Sequence, residues 1–298
     1  MNLDRMFQAG LTLAVIGVIW AVWPQPGEGA YSSVHRHYRS AYRRGPAVLI
    51  DRGHWNRSSA DPRFEGLYQL LTGDGYQVSR SRQEFIPELL RGTRVLLVAD
   101  AMGWKGAVQN AAGTLGVDMR LHSRAFEPEE ITAVRDWVSR GGSLLLIADH
   151  APSGEASQAL AAAFGARLAD CPASSGRTVI WFDREGGLGL DPISDGRAEE
   201  GEQVSFAMSF GGGDVTGPTG STTFLTVTPK SVLPASGETS CVPGAQGVAF
   251  ESGRGRVVIL TAQLARTEGL AQKAGINDRI TDNRQLVLNI MHWLSRAQ

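Results

Sequence analysis

The sequence predicts an α/β protein built on an open, mostly parallel sheet with helices on both faces. Three observations carry this. Runs of consecutive apolar residues recur at 47–51 (AVLID), 93–100 (TRVLLVAD) and 143–149 (SLLLIAD), without polar alternation. Strands buried on both faces read that way. Segments of helical period lie between them, and strand–helix–strand order means parallel pairing through right-handed crossovers. Each of the three runs also ends in an aspartate, Asp51, Asp100 and Asp149, at the sheet edge where open parallel sheets bind ligands.

The elements follow in order. After the 47–51 strand, residues 61–74 carry Phe64, Leu67, Leu70 and Leu71 at helical spacing, and Gly73 and Gly75 close the helix. Residues 76–79 are a second strand and 93–100 a third. Pro128 opens the clearest helix, because its fixed φ and missing N–H suit the first turn. Ile131, Val134, Trp137 and Val138 form that helix's apolar stripe, and Gly141–Gly142 end it. The strand at 143–149 and a short helix near 155–164 follow. From 166 to 255 the pattern changes. Segments 178–182, 204–209 and 223–227 alternate and are separated by Gly-rich loops, as an insertion or an antiparallel extension at the sheet edge would be. Residues 247–251 and 256–261 flank Ser252–Gly255, a hairpin signal. The chain closes with a helix, 281–295, apolar at Leu286, Val287, Ile290, Trp293 and Leu294. Trp137 and Trp293 are expected to be buried anchors.

The amino terminus stands apart. Residues 7–23 carry no charge, follow Arg5 and precede Pro24. Seventeen residues lie at the lower limit of a membrane span, and the layout also fits a signal peptide. Residues 1–23 are therefore expected to be a signal peptide or membrane anchor, which makes the chain exported or membrane-anchored. Arg36, Arg39, Arg43 and Arg44 run against export by the positive-inside rule, but lie a dozen residues beyond the apolar run. Residues 24–45, rich in Pro, Gly, Ser and Arg, read as a linker, and 46–298 as one domain. Cys171 and Cys241 could pair or stay as buried thiols.

Composition excludes several classes. Hydrophobic residues at 42% and charged residues at 20% rule out a disordered chain, a collagen and a coiled coil. A net charge of −1 gives no global field for nucleic acid. There is no G-x-x-x-x-G-K-[ST] loop, G-x-S-x-G elbow or H-E-x-x-H helix.

Chemistry concentrates after two strands. Asp51 is followed by Arg52-Gly53-His54-Trp55-Asn56, and Asp149 by His150-Ala151-Pro152. Parallel strands bring both loops to one edge, so Asp51, His54, Asn56, Asp149 and His150 are expected to share a crevice. Imidazoles beside carboxylates suit general-base work or a divalent metal such as Zn²⁺, with His54, Asp149 and His150 as candidate ligands. Asp100, without a histidine in its loop, reads as a turn residue.

The segments VLIDRGHWN (48–56), LLTGDGYQVSRS (70–81), EEITAVRDWVSRGGSLLLIADHAP (129–152) and TDNRQLVLNIMHWL (281–294) resemble a group of exported bacterial domains of unknown function. That group has a class I glutamine amidotransferase-like, flavodoxin-like fold. It is distantly similar to trehalose-utilisation-like domains and to accessory domains of gliding-motility transporters. The resemblance covers about 46–298 outside 166–250. The group's D-x-x-H-x-N and A-D-H motifs match Asp51, His54, Asn56, Asp149 and His150, and its closing pattern matches Asp282, Asn283 and Arg284. The amidotransferase nucleophile is a cysteine in the turn after the strand equivalent to 143–149, and that turn here reads Ala148-Asp149-His150-Ala151. The resemblance therefore implies a domain that binds a small polar ligand (a carbohydrate among them) or an envelope protein partner. Asn56, Asp282, Asn283 and Arg284 are then candidate ligand-binding residues. The alternative is a metal- or His/Asp-dependent hydrolase using Asp51, His54, Asp149 and His150. Removing residues 1–30 should leave a soluble, cooperatively unfolding protein, and a truncated form with no unfolding transition would overturn the linker assignment.

Overall fold

The computed structural model describes residues 41–57, 63–149, 151–169, 179–210, 212–228, 232–233, 244–262, 264 and 281–296. The apolar run 7–23, His150, Cys171 and Cys241 lie outside them. No helix among the described residues is long and apolar enough to cross a membrane.

The elements run β1 (Ala47–Asp51), α1 (Arg63–Gly73), β2 (Gln77–Ser81), α2 (Pro87–Leu90), β3 (Val95–Ala99), α3 (Gly103–Thr114), α4 (Pro128–Ser139), β4 (Ser143–Ile147) and α5 (Ser153–Ala162). Then follow β5 (Arg167–Ala169), β6 (Val179–Asp183), α6 (Pro192–Asp195), β7 (Phe206–Phe210), β8 (Asp214–Thr216), β9 (Thr222–Thr226) and β10 (Val232–Leu233). The chain closes with β11 (Ala245–Ser252), β12 (Gly255–Leu260) and α7 (Asn283–Ser295). Seven strands form the main sheet in the order β2-β1-β3-β4-β12-β11-β9. The first five are parallel to one another. Counted by position among those five, their order is 2-1-3-4-5, that of flavodoxin-like folds. β11 and β9 extend the sheet antiparallel.

The absence of alternation in the apolar runs has its physical cause in two covered faces. Val48, Ile50, Val95 and Leu97 pack on one side with Leu71, Leu286 and Ile290. Leu49, Leu96, Leu144 and Leu146 pack on the other with Val134, Trp137 and Leu160. The 166–255 region is both things the sequence allowed. β9 and β11 extend the main sheet, whereas β10-β6-β7 and β5-β8 form small sheets of their own. The α3 helix has no counterpart in the sequence reading, because GWKGAVQNAAGT carries no apolar stripe.

The packed body begins before Gly45. Ala41 N–H donates to Asp74 Oδ1 (2.9 Å), and Tyr42 O–H lies 2.9 Å from Ser295 Oγ. This end of the linker is therefore fastened to the corner after α1 and to the end of α7. A buried ion network holds the same region. His292 Nε2 lies 2.8 Å from Asp74 Oδ2, and Glu202 pairs with Arg197 and faces the other imidazole nitrogen at 3.5 Å.

One of the two tryptophan anchors needs correction. Trp137 is buried and lies so close to Gly142 that a Cβ there would fall 2.2 Å from the indole. Trp293 is only partly buried, its ring covered in part by the Arg256 guanidinium, 4.7 Å from the centroid. Trp137→Ala should cost about 3–5 kcal/mol of unfolding free energy in urea titrations, and Trp293→Ala clearly less. A Trp137→Ala loss below about 1 kcal/mol would show that this face is not core.

Candidate functional site

The site lies at the carboxyl edge of β1, β3 and β4. The turn after β1 closes on itself. Asp51 Oδ1 accepts from Gly53 N–H at 2.9 Å and contacts His54 Nδ1 at 2.8 Å, while Asp51 Oδ2 accepts from Asn56 Nδ2 at 2.9 Å. Asn56 Oδ1 accepts from His54 N–H at 3.1 Å, and Asn56 Nδ2 also donates to Ala99 O. The Asp51, His54 and Asn56 of the motif therefore saturate one another and fix the loop to β3. Gly53 is required here, since a Cβ would fall 2.8 Å from Arg82 O.

His54 has a second carboxylate. Its Nε2 lies 2.8 Å from Glu130 Oε1, and its ring packs against both Phe85 and Phe126, which stack on each other, at centroid distances of 4.5 and 4.8 Å. Burial alone would lower the pKa of the imidazole. The hydrogen bonds and charges of Asp51 and Glu130 outweigh it and raise that pKa to about 9. His54 is therefore an imidazolium at neutral pH and donates from both nitrogens. Burial likewise works against the Glu130 carboxylate, but hydrogen bonds from His54 and from the Glu127 and Phe85 N–H groups hold it below its ordinary value. Sequence reasoning missed Glu130. It occupies the third position of α4, where its Oε2 accepts from Glu127 N–H as a helix-capping carboxylate does. That local role hides its partner 76 residues away.

The loops after β1 and β3 are stapled by main-chain bonds. Arg57 N–H donates to Asp100 O, and the Met102 and Gly103 N–H groups both donate to His54 O. Two residues in the staple adopt left-handed backbone without being glycine: Trp55 at φ 55° and Asp100 at φ 50°. Aspartate tolerates that region, but for a bulky side chain it is a genuine outlier, costing of order 1–3 kcal/mol. The bonds on either side of Trp55 hold it there. Its side chain stays 60% exposed, as does that of Trp104 in the first turn of α3.

Arg57 joins the strands. Its Nη2 lies 3.7 Å from Asp100 Oδ2 and 3.5 Å from Asp149 Oδ2. These ion pairs are longer than charge-assisted hydrogen bonds of about 2.7–2.9 Å, and among the described residues Nη2 has no hydrogen-bond partner. Asp100, read from sequence as a turn residue, thus belongs to the cluster, which runs without a break from Asp51 to Asp149. Arg57 carried no sequence signal, since a single arginine in a polar loop is ordinary.

The other predicted residues fall elsewhere. Asp282 Oδ2 accepts from the Ser205 and Phe206 N–H groups, and Asn283 exchanges two hydrogen bonds with the main chain of Met208. Both fasten the start of α7 to β7 and the residue before it. Arg284 follows them in the first turn of α7. His54 also does not fit a metal site, because a carboxylate faces each ring nitrogen and no lone pair is left to coordinate. Among the described residues no group of three or more His, Cys, Asp and Glu side chains is arranged to hold a metal.

The sign of the pH dependence follows from the raised pKa of His54. Its contribution to stability is complete below the ordinary imidazole value of 6.5 and is lost as pH rises through about 9. Unfolding free energy should therefore fall between about pH 7 and pH 9. His54→Asn should lose about 3–5 kcal/mol at pH 7, as two buried carboxylates lose their shared cation, and should lack the alkaline decline. Parallel pH profiles of stability for the two proteins would contradict this.

No protein-family model matches the sequence, and no curated protein does. Solved structures do. The N-terminal domain of mmIFT52 is 13% identical with a TM-score of 0.54, the match covering 83% of this chain and 97% of that one. The Salmonella typhimurium cytoplasmic protein STM3548 is 11% identical with a TM-score of 0.51, covering 84% and 98%. The cytoplasmic protein STM1381 of Salmonella typhimurium LT2 is 11% identical with a TM-score of 0.50, covering 84% and 99%. At these identities the likeness is one of fold, and what the chain shares with them is the helix-covered, mostly parallel sheet on which the site is built.

Proposed function

We propose that the protein is a binding domain that takes a small polar ligand at the carboxyl edge of β1, β3 and β4, and that it does not act as a hydrolase. One observation carries this reading. His54, one of the two histidines that general-base or metal-assisted hydrolysis could use, is held as a cation between Asp51 and Glu130; the other, His150, lies outside the described residues. A base must offer a free lone pair, and an imidazolium bridging two carboxylates has none. The turn after β4 also lacks the cysteine of the amidotransferases that the sequence resembles. Arg57 remains, its side chain a quarter exposed and, among the described residues, its buried Nη2 without a hydrogen-bond partner. With Asp100 and Asp149 beside it, a ligand with hydroxyl or amide groups and no net charge suits the edge, since a neighbouring pair of carboxylates repels anions. Export or membrane anchoring through residues 7–23 is part of this reading and rests on the apolar run alone.

Isothermal titration of the full chain against neutral sugars, polyols and amino-acid amides, with parallel ester and glycoside hydrolysis assays, tests the proposal. Saturable binding without turnover is expected, weakened at least tenfold by Arg57→Gln, a loss of about 1.4 kcal/mol or more. Hydrolysis that disappears in His54→Asn, measured where that variant is still folded, would overturn it.

A further inference from the structure

The stapled loops present a feature that neither folding nor the polar cluster explains. Trp55 holds a strained backbone, and its indole is 60% exposed; Trp104, two residues beyond the Met102 that bonds His54 O, is exposed to the same extent. Tryptophan has more to gain from burial than any other side chain, and strain kept without a packing return marks a functional position. Ile86, on the loop after β2, is also exposed. That loop is fixed to the same network, because Phe85 N–H donates to Glu130. The loops after β1 and β2 and the first turn of α3, after β3, therefore each carry one large exposed apolar side chain.

Resting on the binding reading above, we propose that the ligand is a carbohydrate. Trp55 and Trp104 would form its stacking platform, and Arg57 would hydrogen-bond its hydroxyls. A pyranose ring has an apolar face of C–H groups, which packs on the electron-rich face of an indole. Its rim of hydroxyls both donates and accepts, which matches an arginine set between carboxylates. A nucleotide would stack equally well, but its phosphate would meet Asp100 and Asp149 beside Arg57. The backbone between His54 and Asn56, fixed by hydrogen bonds on both sides, holds the Trp55 platform in place before the ligand arrives, so little ordering entropy is lost on binding. Lys105, whose Nζ lies 6.0 Å from the Trp104 ring centroid, is a second donor at the rim.

Titration calorimetry and tryptophan fluorescence of the full chain, with neutral gluco-, manno-, galacto- and N-acetylglucosamine tetrasaccharides as probes, test this. At least one tetrasaccharide should bind saturably and shift the emission to the blue. Trp55→Ala and Trp104→Ala should each weaken binding tenfold or more. Trp55→Gly should abolish the platform while leaving the melting temperature unchanged or raised, because glycine accepts φ 55° without strain. If no tetrasaccharide binds, or if binding survives both tryptophan changes, the carbohydrate assignment is wrong. A neutral ligand lost with Arg57→Gln but indifferent to Trp55→Ala would overturn this assignment while leaving the broader binding reading standing. Binding to phosphatidylglycerol–phosphatidylethanolamine vesicles that is lost in the tryptophan variants, with tetrasaccharides unbound, would overturn it in favour of a membrane-facing surface.

Discussion

The carboxyl edge of this sheet is organised around one buried cation. His54 donates from both ring nitrogens, to Asp51 in its own loop and to Glu130 at the start of α4. Each carboxylate alone in that apolar setting, where the imidazole packs against Phe85 and Phe126, would be costly to ionise. Together they share one charge and hold the loop after β1 against the helix that leads into β4. The loop cannot shift without breaking the bonds of Asp51, Asn56 and His54 together, so a short irregular segment becomes as rigid as the strands beside it.

That rigidity has consequences at both ends of the loop. On the inner side it delivers Arg57 between Asp100 and Asp149, linking the exits of β1, β3 and β4. On the outer side it forces Trp55 into left-handed backbone and leaves the indole in solvent. On the proposed reading Asp51, His54 and Asn56 are the framework, and the groups open to a ligand are the neighbours that it positions. Such a division is physically reasonable, because a site needs supporting groups with locked rotamers as much as it needs contacting ones. At the far end of the domain another histidine, His292, lies 2.8 Å from Asp74 and 3.5 Å from Glu202 and helps to fasten α7.

The fold was largely legible because its strands had only one reading. AVLID at 47–51 and SLLLI at 143–147 have no polar face, so burial on both sides was the only physical solution. Helix α4 declared itself through Pro128 and its stripe. The helix at 103–114 did not, since it is short of apolar residues and shows solvent two of the few it has, Trp104 and Val108. Trp293 sat on the apolar stripe as expected, but periodicity within α7 could not show that Arg256 from β12 would cover its ring. The polar cluster was legible in part, and its internal pairing was not. Asp51, His54 and Asn56 stood out by spacing, yet the meaning of His54 depends on Glu130, which local sequence presents as a helix cap. Asp100 needed Arg57, and pairing across loops leaves no trace in a single sequence. Asp282 and Asn283 were noticed for their polarity, and it is the main chain of β7 that uses it.

The most direct test of this account is the ionisation of His54 itself, followed by nitrogen-15 resonances of its imidazole across a pH titration of the folded full chain. The account requires both ring nitrogens to stay protonated through neutral pH, with titration only near pH 9. A His54 that titrates near the ordinary imidazole value, or that is a single neutral tautomer at pH 7, would contradict it and return the residue to the role of a candidate base.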